Sequence, residues 1–527
     1  MTQWNAVWRE QALPELAARD WDLIVVGGGI SGAGILREAA RRGWKCLLLE
    51  QRDFAWGTSS RSSKMVHGGL RYIAKGQFGL TRDSVRERER LLREAPGLVD
   101  PLSFIMAHYQ GGFPGPRVFG GLLTVYDALA GKRNHLYYPL QQLRYLAPGL
   151  KTAGLQGGTQ FFDAVTDDAR LVQRVLGEAR AEGGEALNGM RVVDLLREEG
   201  RVVGLLAEDR ETGRRYTFNS RAVAQATGAW ADQLRNKNGL EHIRPLRGSH
   251  LLVPAWRLPV AHAFSFIHAS DKRPVFVFPW EGATVIGTTD LDHPAPLSEE
   301  ARISADEVDY LLTACAQQFP AAAIGAADVL SSWAGVRPVV SDGSEGRKPS
   351  DEKREHALWV EPGCVTLAGG KLTTFRLLAL EVLQACAPMV GRTVEDHGAA
   401  TFALLSCQPH PQLSPAQYKR LLGRYGRALP ALLVLLDQLG AEPVVGTNTL
   451  WAELAWAAEQ ELVLHLDDLL LRRTRLGLLL ACGGVAELPR IRALCQARLG
   501  WDDARWQQEQ QAYLQLWQRC YSLPADS

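Results

Sequence analysis

The 527-residue sequence has little of several features that would assign a protein to a class at once. Its formal net charge is only +1, which argues against a nucleic-acid partner, because such a partner would favour a basic surface. The eight cysteines include no Cys-x-x-Cys pair and no zinc-like spacing. This usage fits reduced thiols in the cytosol better than a disulfide framework, and it predicts no metal site.

Long apolar runs and a secretory signal are also missing from the sequence. The longest apolar runs, at 428–436 and 476–486, are about half the length that a membrane-spanning helix needs. Residues 1–20 carry several charges and lack the apolar core of a signal peptide, so we expect a polar leader. Any membrane contact is therefore expected at the protein surface. With 46% hydrophobic and 22% charged residues, the chain has an ordinary globular composition, and its length predicts two to four folding units.

A dinucleotide-binding fingerprint follows the leader. Residues 23–26 are an apolar strand run, and Gly-Gly-Gly-Ile-Ser-Gly at 27–32 follows it and opens a helical pattern. The first glycine permits the tight turn, the second lets the backbone approach a pyrophosphate, and the third lets the helix pack on the strand. An acid at the end of the next strand can bind a ribose hydroxyl pair, which disfavours NADP. The predicted contacts are Gly27, Gly29, Ile30, Ser31, Gly32 and Glu50.

Two further glycine turns favour FAD over NAD, which one fingerprint alone does not distinguish. A second strand run ends in Ala-Thr-Gly at 226–228, as in flavoproteins of the two-dinucleotide-binding type, which it resembles. A third glycine turn, at 367–374, opens another helix, whose N-terminus can stabilise negative charge on a reduced flavin. The predicted contacts in these turns are Ala226, Thr227, Gly228, Gly370, Lys371, Leu372 and Thr373.

A run of hydroxyl residues lies between the first two turns and ends in His-Gly-Gly-Leu-Arg-Tyr at 67–72. Small hydroxyl side chains can bond a pyrophosphate and a ribityl chain without crowding them. The histidine, arginine and tyrosine bring a titratable group and a cation near the cofactor. The predicted cofactor contacts in this run are Thr58, Ser59, Ser60, Ser63, Lys64 and His67.

At residues 21–376 the sequence closely resembles the FAD-dependent glycerol-3-phosphate dehydrogenases. The leader and the polar loop at 341–353 depart from the family pattern. A helical tail also fits, through Asp-Asp-Leu-Leu-Leu-Arg-Arg-Thr-Arg-Leu at 467–476. The motifs that carry the resemblance lie at 27–34, 58–72, 166–171, 247–250, 287–290, 335–338 and 369–376.

The resemblance implies an α/β fold with three parts. These are an FAD-binding Rossmann-like domain of the glutathione-reductase type, a mixed-sheet substrate domain and a C-terminal helical domain. The predicted division is an extension at 1–20, a discontinuous FAD-binding domain at 21–100, 155–245 and 345–395, a substrate domain at 101–154 and 246–344, and a helical domain at 396–527.

The same resemblance implies oxidation of sn-glycerol 3-phosphate to dihydroxyacetone phosphate, with electrons passed to ubiquinone or menaquinone. It implies a cytoplasmic protein held peripherally on the inner face of the cell membrane, and a homodimer is among the assemblies to test. Three alternatives stay open. They are an oxidase of the same family that uses O₂, a flavin oxidase acting on amino acids or 2-hydroxy acids, and a flavin-binding partner protein without chemistry.

A substrate phosphate calls for arginine, whose fork binds two oxygens at once. By resemblance, Arg337 and Arg354 lie against substrate oxygens, and Arg71, Tyr72 and Lys371 complete the pocket. Because Arg354 lies next to the loosely matching loop, Lys353 or His356 are its possible replacements. The alternative for Arg337 is an ion pair with a carboxylate.

The proton acceptor for the substrate hydroxyl has two candidates. His67 is favoured, because histidine titrates near neutral pH and the motif of His67 lies near the flavin in the family. His250 is its rival, and in a third interpretation neither histidine is the base.

Two charged segments need a separate interpretation. Residues 81–94 alternate in charge, which predicts a solvated helix face. The basic cluster at 472–475 either faces anionic lipid or an acidic partner, or it is solvated or paired internally, which is favoured.

Overall fold

The protein folds into two sheets and a helical region, as shown by a computed structural model that describes residues 3–70, 73, 76–235, 243–341, 356–405 and 408–525. The strands in these residues are β1 (Asp20–Val26), β2 (Cys46–Leu49), β3 (Met65–Val66), β4 (Val99–Tyr109), β5 (Leu136–Pro139), β6 (Leu155–Thr166), β7 (Glu185–Leu187), β8 (Met190–Glu198), β9 (Arg201–Asp209), β10 (Arg215–Gln225), β11 (Ile243–Pro254), β12 (Ala263–Ile267), β13 (Pro274–Trp280), β14 (Ala283–Gly287), β15 (Leu291–Asp292), β16 (Ser331–Val340), β17 (Ala357–Glu361) and β18 (Cys364–Ala368). The helices are α1 (Ala6–Ala18), α2 (Ile30–Ala40), α3 (Phe78–Glu94), α4 (Pro116–Ala130), α5 (Leu140–Leu146), α6 (Asp168–Ala181), α7 (Ala231–Arg235), α8 (Ala305–Gln318), α9 (Phe375–Val390), α10 (Pro415–Tyr425), α11 (Leu429–Leu439), α12 (Trp451–Gln460), α13 (Leu476–Leu479), α14 (Leu488–Cys495) and α15 (Asp503–Cys520).

The first sheet has a parallel core with the strand order β18-β10-β1-β2-β7. β17 and the hairpin of β8 and β9 extend it with antiparallel pairs. Every residue of β1 after Asp20 is buried, as expected for a parallel strand that is covered on both faces. α2, α6 and α9 contribute apolar side chains to the core that includes this sheet. The predicted α/β dinucleotide-binding architecture is confirmed.

The second sheet is mostly antiparallel and follows the order β15-β11-β14-β13-β12-β4-β6-β3, with β16 beside β11 and β5 beside β6. It provides the predicted mixed sheet, since β4 and β12 pair in parallel. The structure corrects one predicted boundary. Residues 155–166 were assigned to the FAD-binding domain, but β6 pairs along β4 from Leu155 to Thr166 and so belongs to the second sheet.

The C-terminal region is helical, as the resemblance implies. Its leucine- and tryptophan-rich helices bury residues such as Leu470, Trp506 and Tyr513 in one core with Leu252 and Trp333 of the second sheet. The region is therefore packed against the sheet through shared apolar side chains. A π-helix at Asp468–Arg473 precedes α13.

The leader is not simply polar. Asn5 caps α1 by accepting a hydrogen bond from the Trp8 amide at 3.0 Å, and Leu13 and Leu16 are buried in a core with strands of the first sheet. Arg9 forms a buried ion pair with Asp209 at 2.7 Å. The charges noted in the sequence share the helix with apolar residues, so the segment packs on the sheet that it precedes.

Helix α3 also departs from the prediction of a solvated face. One side of it is buried and includes Glu87, Arg88 and Leu91. Arg88 forms an ion pair with Asp163, and Glu87 accepts a hydrogen bond from Arg376 at 2.7 Å. The alternating charges therefore serve partly as buried pairs, which sequence periodicity alone does not distinguish from solvated ones.

Among the described residues, one helical stretch, Leu372–Val390, has the length and composition to cross a membrane. It includes α9, and 67% of its apolar window is buried inside the protein. A core helix meets the same criterion, so this stretch is weak support for a membrane span.

Candidate active site

A cavity of about 390 Å³ lies where β1, β10 and β18 end. Its wall is built from all three glycine turns and from the start of the hydroxyl run. The predicted cofactor contacts in the wall are Gly27, Gly29, Ile30, Ser31, Glu50, Thr58, Ser59, Ala226, Thr227, Gly228, Gly370, Lys371 and Leu372. The structure thus brings together segments that are far apart in the sequence.

Two glycines of the fingerprint are required by the geometry. Gly27 has φ +109°, and a Cβ atom there would lie 2.6 Å from the Ala226 carbonyl oxygen. A Cβ atom at Gly32, which lies in α2 behind the cavity, would lie 1.9 Å from the Gly27 carbonyl oxygen. Glycine is therefore needed for the turn and for the close contact between strand and helix, which fits a backbone cradle for a pyrophosphate.

Glu50 occupies the end of β2 and lines the cavity. Its carboxylate accepts hydrogen bonds from the Gly28 amide at 2.6 Å and the Arg52 amide at 2.8 Å. Burial raises the pKa of Glu50, while the two amides oppose this shift. The carboxylate is thus held in one orientation, and the ribose contact stays a prediction.

Some residues of the hydroxyl run line the cavity, and others make contacts outside the cavity wall. Ser59 Oγ accepts the Ile30 amide at 3.0 Å, and the Thr58 hydroxyl donates to the Val336 carbonyl. Lys64 lies outside the wall, where it pairs with Asp168 at 2.9 Å. Burial lowers the pKa of Lys64 to about 8. The cofactor contacts predicted for residues outside the wall stay predictions; these are Gly32, Ser60, Ser63, Lys64, His67 and Thr373.

Lys371 lies at the third glycine turn, directly before the helical stretch that leads into α9. It lines the cavity, and its Nζ lies 3.4 Å from Ser84 Oγ of α3. A cation at a helix N-terminus opposes the helix dipole. This placement favours an anionic partner beside Lys371.

Arg337 extends from β16 toward Asp290. Its Nη1 donates to Asp290 Oδ1 at 2.8 Å and its Nη2 to Thr288 Oγ1 at 3.3 Å. Arg273 Nη2 lies 2.8 Å from the other oxygen of Asp290. The predicted alternative of a carboxylate pair is therefore present, and Arg273 shares this carboxylate with Arg337. The side chain of Arg337 remains 24% exposed.

The two candidate bases have different surroundings. His250 is buried, stacks on Trp333 with ring centroids 4.9 Å apart, and lies 2.9 Å from Ser63 Oγ through Nε2. Burial lowers the pKa of His250 well below its usual value, and the charges of Arg337 and Lys64 add to this effect. His67 is half-buried, and its amide donates to Thr373 Oγ1 at 3.3 Å, next to the third turn.

Several predicted pocket residues, Arg71, Tyr72, Lys353 and Arg354, lie outside the described residues. His356, the other possible replacement for Arg354, is described and forms an ion pair with Glu381 at 2.6 Å.

Other wall residues were missed by the sequence argument. One group comes from the start of β8, and two tryptophans, Trp56 and Trp230, lie with ring centroids 5.8 Å apart. Trp230 directly follows the second turn, so its position was a usable signal, whereas β8 has no local motif. The missed residues include Gln51, Trp56, Ser62, Met190, Arg191, Val192, Val193, Trp230 and Pro338.

The basic cluster at 472–475 is buried and paired internally. Arg473 forms two hydrogen bonds with Asp53, at 2.6 and 2.7 Å, and Arg472 binds the same carboxylate at 2.5 Å. Arg475 pairs with Asp167 at 2.9 Å and donates to the Ser60 carbonyl at 3.2 Å. The lipid-facing alternative is wrong. The cluster ties the helical region to residues 50–57, the loop after β2 that contributes to the cavity wall and that we call the cofactor loop.

Comparison with known proteins gives two family matches. A model of FAD dependent oxidoreductases matches residues 22–376. A model of the C-terminal domain of alpha-glycerophosphate oxidase matches residues 366–506. The two matches meet in the third glycine turn and α9.

Among curated proteins, glycerol-3-phosphate dehydrogenase 2 of Mycobacterium tuberculosis is 34% identical over 96% of this chain and 89% of its own length. The aerobic glycerol-3-phosphate dehydrogenase of Bacillus subtilis is 38% identical over 72% of this chain and 69% of its own length.

Among solved structures, glycerol-3-phosphate dehydrogenase from Bacillus halodurans complexed with FAD has a TM-score of 0.75 and 27% identity. The match covers 97% of this chain and 98% of that one. L-alpha-glycerophosphate oxidase from Mycoplasma pneumoniae with FAD bound has a TM-score of 0.57 at 16% identity, covering 73% of this chain and 98% of that one. The second likeness shows a shared fold only.

Proposed function

This chain belongs to the FAD-dependent glycerol-3-phosphate dehydrogenase family, and on that basis we propose that it oxidises sn-glycerol 3-phosphate to dihydroxyacetone phosphate and passes the electrons to a quinone. The observation that carries the substrate assignment, beside the family match, is the group of cationic side chains in and near the cofactor cavity. Arg337 and Arg273 share Asp290, and Lys371 lines the cavity itself.

The reaction removes a hydride from C2 of the substrate and a proton from its hydroxyl group. When bound, FAD supplies the two-electron acceptor for the hydride. The protein must fix the phosphate, orient C2 and accept the proton. Arg337 and Lys371 suit the first task, because a guanidinium fork and an ammonium bind phosphate oxygens through charge-assisted hydrogen bonds.

We assign proton acceptance to His67 rather than His250. His250 is 1% exposed, contacts Ser63 and Trp333, and is not among the residues of the cavity wall. The backbone of His67 contacts Thr373, next to the wall residue Leu372. His250 then serves as a neutral support for the hydroxyl run.

The first test of this function is anaerobic. The purified FAD-loaded protein is mixed with sn-glycerol 3-phosphate without O₂ or quinone, and oxidised flavin absorbance is followed by stopped flow. We expect rapid bleaching, and His67→Asn should slow it by about 10²–10⁴-fold, the usual contribution of a general base. His397→Asn, at a side chain that is 77% exposed, is the matched control. Unchanged flavin absorbance in the natural protein would refute the substrate assignment.

The acceptor is tested by reoxidation of the reduced protein. A soluble quinone analogue should reoxidise the flavin much faster than dissolved O₂ does. Faster reoxidation by O₂ would instead assign the chain to the oxidases of this family.

We also propose peripheral attachment to the inner face of the cell membrane through α4 and the loop before it. Phe113 is 81% exposed and Val118 58% exposed, and Arg117 is exposed between them. An apolar surface with adjacent basic residues suits the interface of an anionic bilayer.

The attachment is tested by sedimentation with phosphatidylglycerol vesicles. Phe113→Ser combined with Val118→Ser should reduce the bound fraction several-fold, because each lost side chain removes apolar area from the interface. Val360→Ser is the matched control, since Val360 is 59% exposed but lies in β17 of the first sheet. Equal loss in the control would contradict the proposed surface.

A further inference from the structure

A second cavity, of about 750 Å³, lies between the cofactor loop and the C-terminal helices. It shares Gln51 and Trp56 with the cofactor cavity. Its wall comes from the loop after β2, the turn between β9 and β10, the segment before α8, the π-helix and α15. Five arginines line it, namely Arg52, Arg210, Arg302, Arg472 and Arg519.

Five of the six carboxylates of this wall pair with described cations, some of which, such as Arg61 and Arg473, lie outside the wall. His465 lies in the wall and is one of these cations: burial lowers its pKa, but the hydrogen bonds that it donates to Glu211 and Glu509 outweigh this effect and raise the pKa to about 11. Glu299 lines the wall without a described cation partner. The paired carboxylates are Asp53, Glu211, Glu300, Asp467 and Asp468.

Four of the five arginines have no ion pair with a carboxylate among the described residues; they are Arg52, Arg210, Arg302 and Arg519. Arg52 donates to the Ser298 carbonyl at 2.6 Å and lies over the Trp56 ring at 4.0 Å. Arg210 donates to the Gln51 carbonyl at 3.3 Å. Carbonyl oxygens solvate these guanidinium groups but do not neutralise them. The five arginines and the protonated His465 equal the six carboxylates of the wall in number, so the charge available to an anion lies on the four arginines that have no described ion pair.

Arg472 adds an independent observation. Its Nε and Nη2 bind carboxylates, but its Nη1 is buried and has no hydrogen-bond partner among the described residues. An unsatisfied buried donor is costly, and charged donors cost more than neutral ones. An acceptor oxygen in the cavity beside this residue would relieve that cost.

From these observations we propose that the second cavity binds a small phosphate-bearing anion at a site separate from the substrate pocket. Arginine forks bind phosphate oxygens in pairs, and several arginines can share one diphosphate. The cavity volume lies within the usual range for small-molecule sites. Such a ligand would bridge Arg52 of the cofactor loop and Arg519 of the last helix. The proposal does not depend on the identity of the substrate.

The test uses FAD-saturated holoenzyme and inorganic pyrophosphate in isothermal titration calorimetry. The double variant Arg210→Gln, Arg302→Gln should weaken binding by about tenfold or more, because it removes two charge-assisted contacts to the anion. Arg214→Gln is the matched control, since Arg214 is exposed at the same turn but lies outside the wall. Arg302→Gln alone removes an exposed side chain, so a measurement is available even if the double variant folds poorly.

The titration is repeated in Arg337→Gln to distinguish binding in the second cavity from binding in the substrate pocket. Retained pyrophosphate binding there, together with its loss in Arg210→Gln, Arg302→Gln, supports the proposal. It is overturned if the holoenzyme shows no saturable binding, if Arg214→Gln weakens binding equally, or if binding disappears only in Arg337→Gln. Loss of FAD from the double variant in step with pyrophosphate binding would also overturn it, because the cavity would then be part of the cofactor site.

Discussion

Arg473 and Arg337 each bind an aspartate, but the charges around them differ. Asp53 is held by Arg473 and Arg472, and the latter also binds Asp467 and Asp468. Burial raises the pKa of Asp53, but the two arginines outweigh it and lower the pKa to about 2. In this region every described arginine charge is matched by a carboxylate.

Near the cofactor cavity the arrangement differs. Asp290 is shared by Arg337 and Arg273, and Lys371 lies in the cavity wall. Arg337 is 24% exposed, whereas Arg473 is fully buried. The comparison is therefore between fully buried arginines that join the helical region to the loop after β2 and a partly exposed arginine that we propose binds the substrate phosphate.

The largest expected effect comes from replacing Asp53, the carboxylate that Arg472 and Arg473 share. Asp53→Asn should lower the free energy of unfolding by about 3–5 kcal/mol, because it leaves the buried guanidinium group of Arg473 without the carboxylate that it pairs with. FAD should dissociate more readily from this variant, since Asp53 follows Glu50 in the cofactor loop. Thermal unfolding and FAD fluorescence measure the two effects.

Its control is Glu208→Gln, which breaks an exposed pair with Arg215 at 3.3 Å and should change stability by at most about 1 kcal/mol. Equal destabilisation by both variants would mean that the buried ion pairs of Asp53 contribute no more to stability than an ordinary surface pair.

The next effect concerns Arg337, beside the cofactor cavity. Arg337→Lys should lower kcat/KM for sn-glycerol 3-phosphate by about 10- to 100-fold, because lysine loses the fork while it keeps the charge. Unfolding and FAD content should change little. Steady-state kinetics with an artificial acceptor tests this expectation.

Arg244→Lys is the control for this position, since Arg244 lies on the neighbouring strand β11 and pairs with Asp292 at 2.7 Å. A loss of stability instead of activity in Arg337→Lys would place Arg337 with the architectural arginines.

The smallest expected effect concerns the pH dependence of stability. It comes from His250, whose pKa is lowered by burial and by nearby cations. A histidine with a depressed pKa in the folded state binds its proton mainly on unfolding. Stability is therefore complete above the unfolded pKa of about 6.5 and falls as the pH drops below it, by up to about 1.4 kcal/mol per pH unit. His250→Asn should make the loss between pH 6.5 and 5 shallower, as measured by denaturant unfolding.

His397→Asn should leave this pH dependence unchanged, because its side chain is 77% exposed. An unaltered acid slope in His250→Asn would mean that other groups account for the whole effect.

Local sequence was sufficient for the fingerprint and its neighbours. Gly27, Gly29 and Glu50 lie in the cavity wall as their spacing predicts, because a βαβ turn is shaped by its own backbone and by short-range packing. The resemblance extended this to the family and to FAD. The apolar runs of β1 and β2 likewise predicted buried parallel strands, since strands covered on both faces need no alternation.

Only the tertiary structure decided which charges match. Asp53 and Arg473 are 420 residues apart in the chain, and no periodicity links them. The same holds for the wall residues of β8, and for Arg273, which shares Asp290 with Arg337. A sequence shows where charges are and which local turns they follow. Whether a charged side chain lies next to an opposite charge or beside a cavity depends on long-range packing. The Coulomb energy of the pair depends on the separation of the charges in space and on their burial from water.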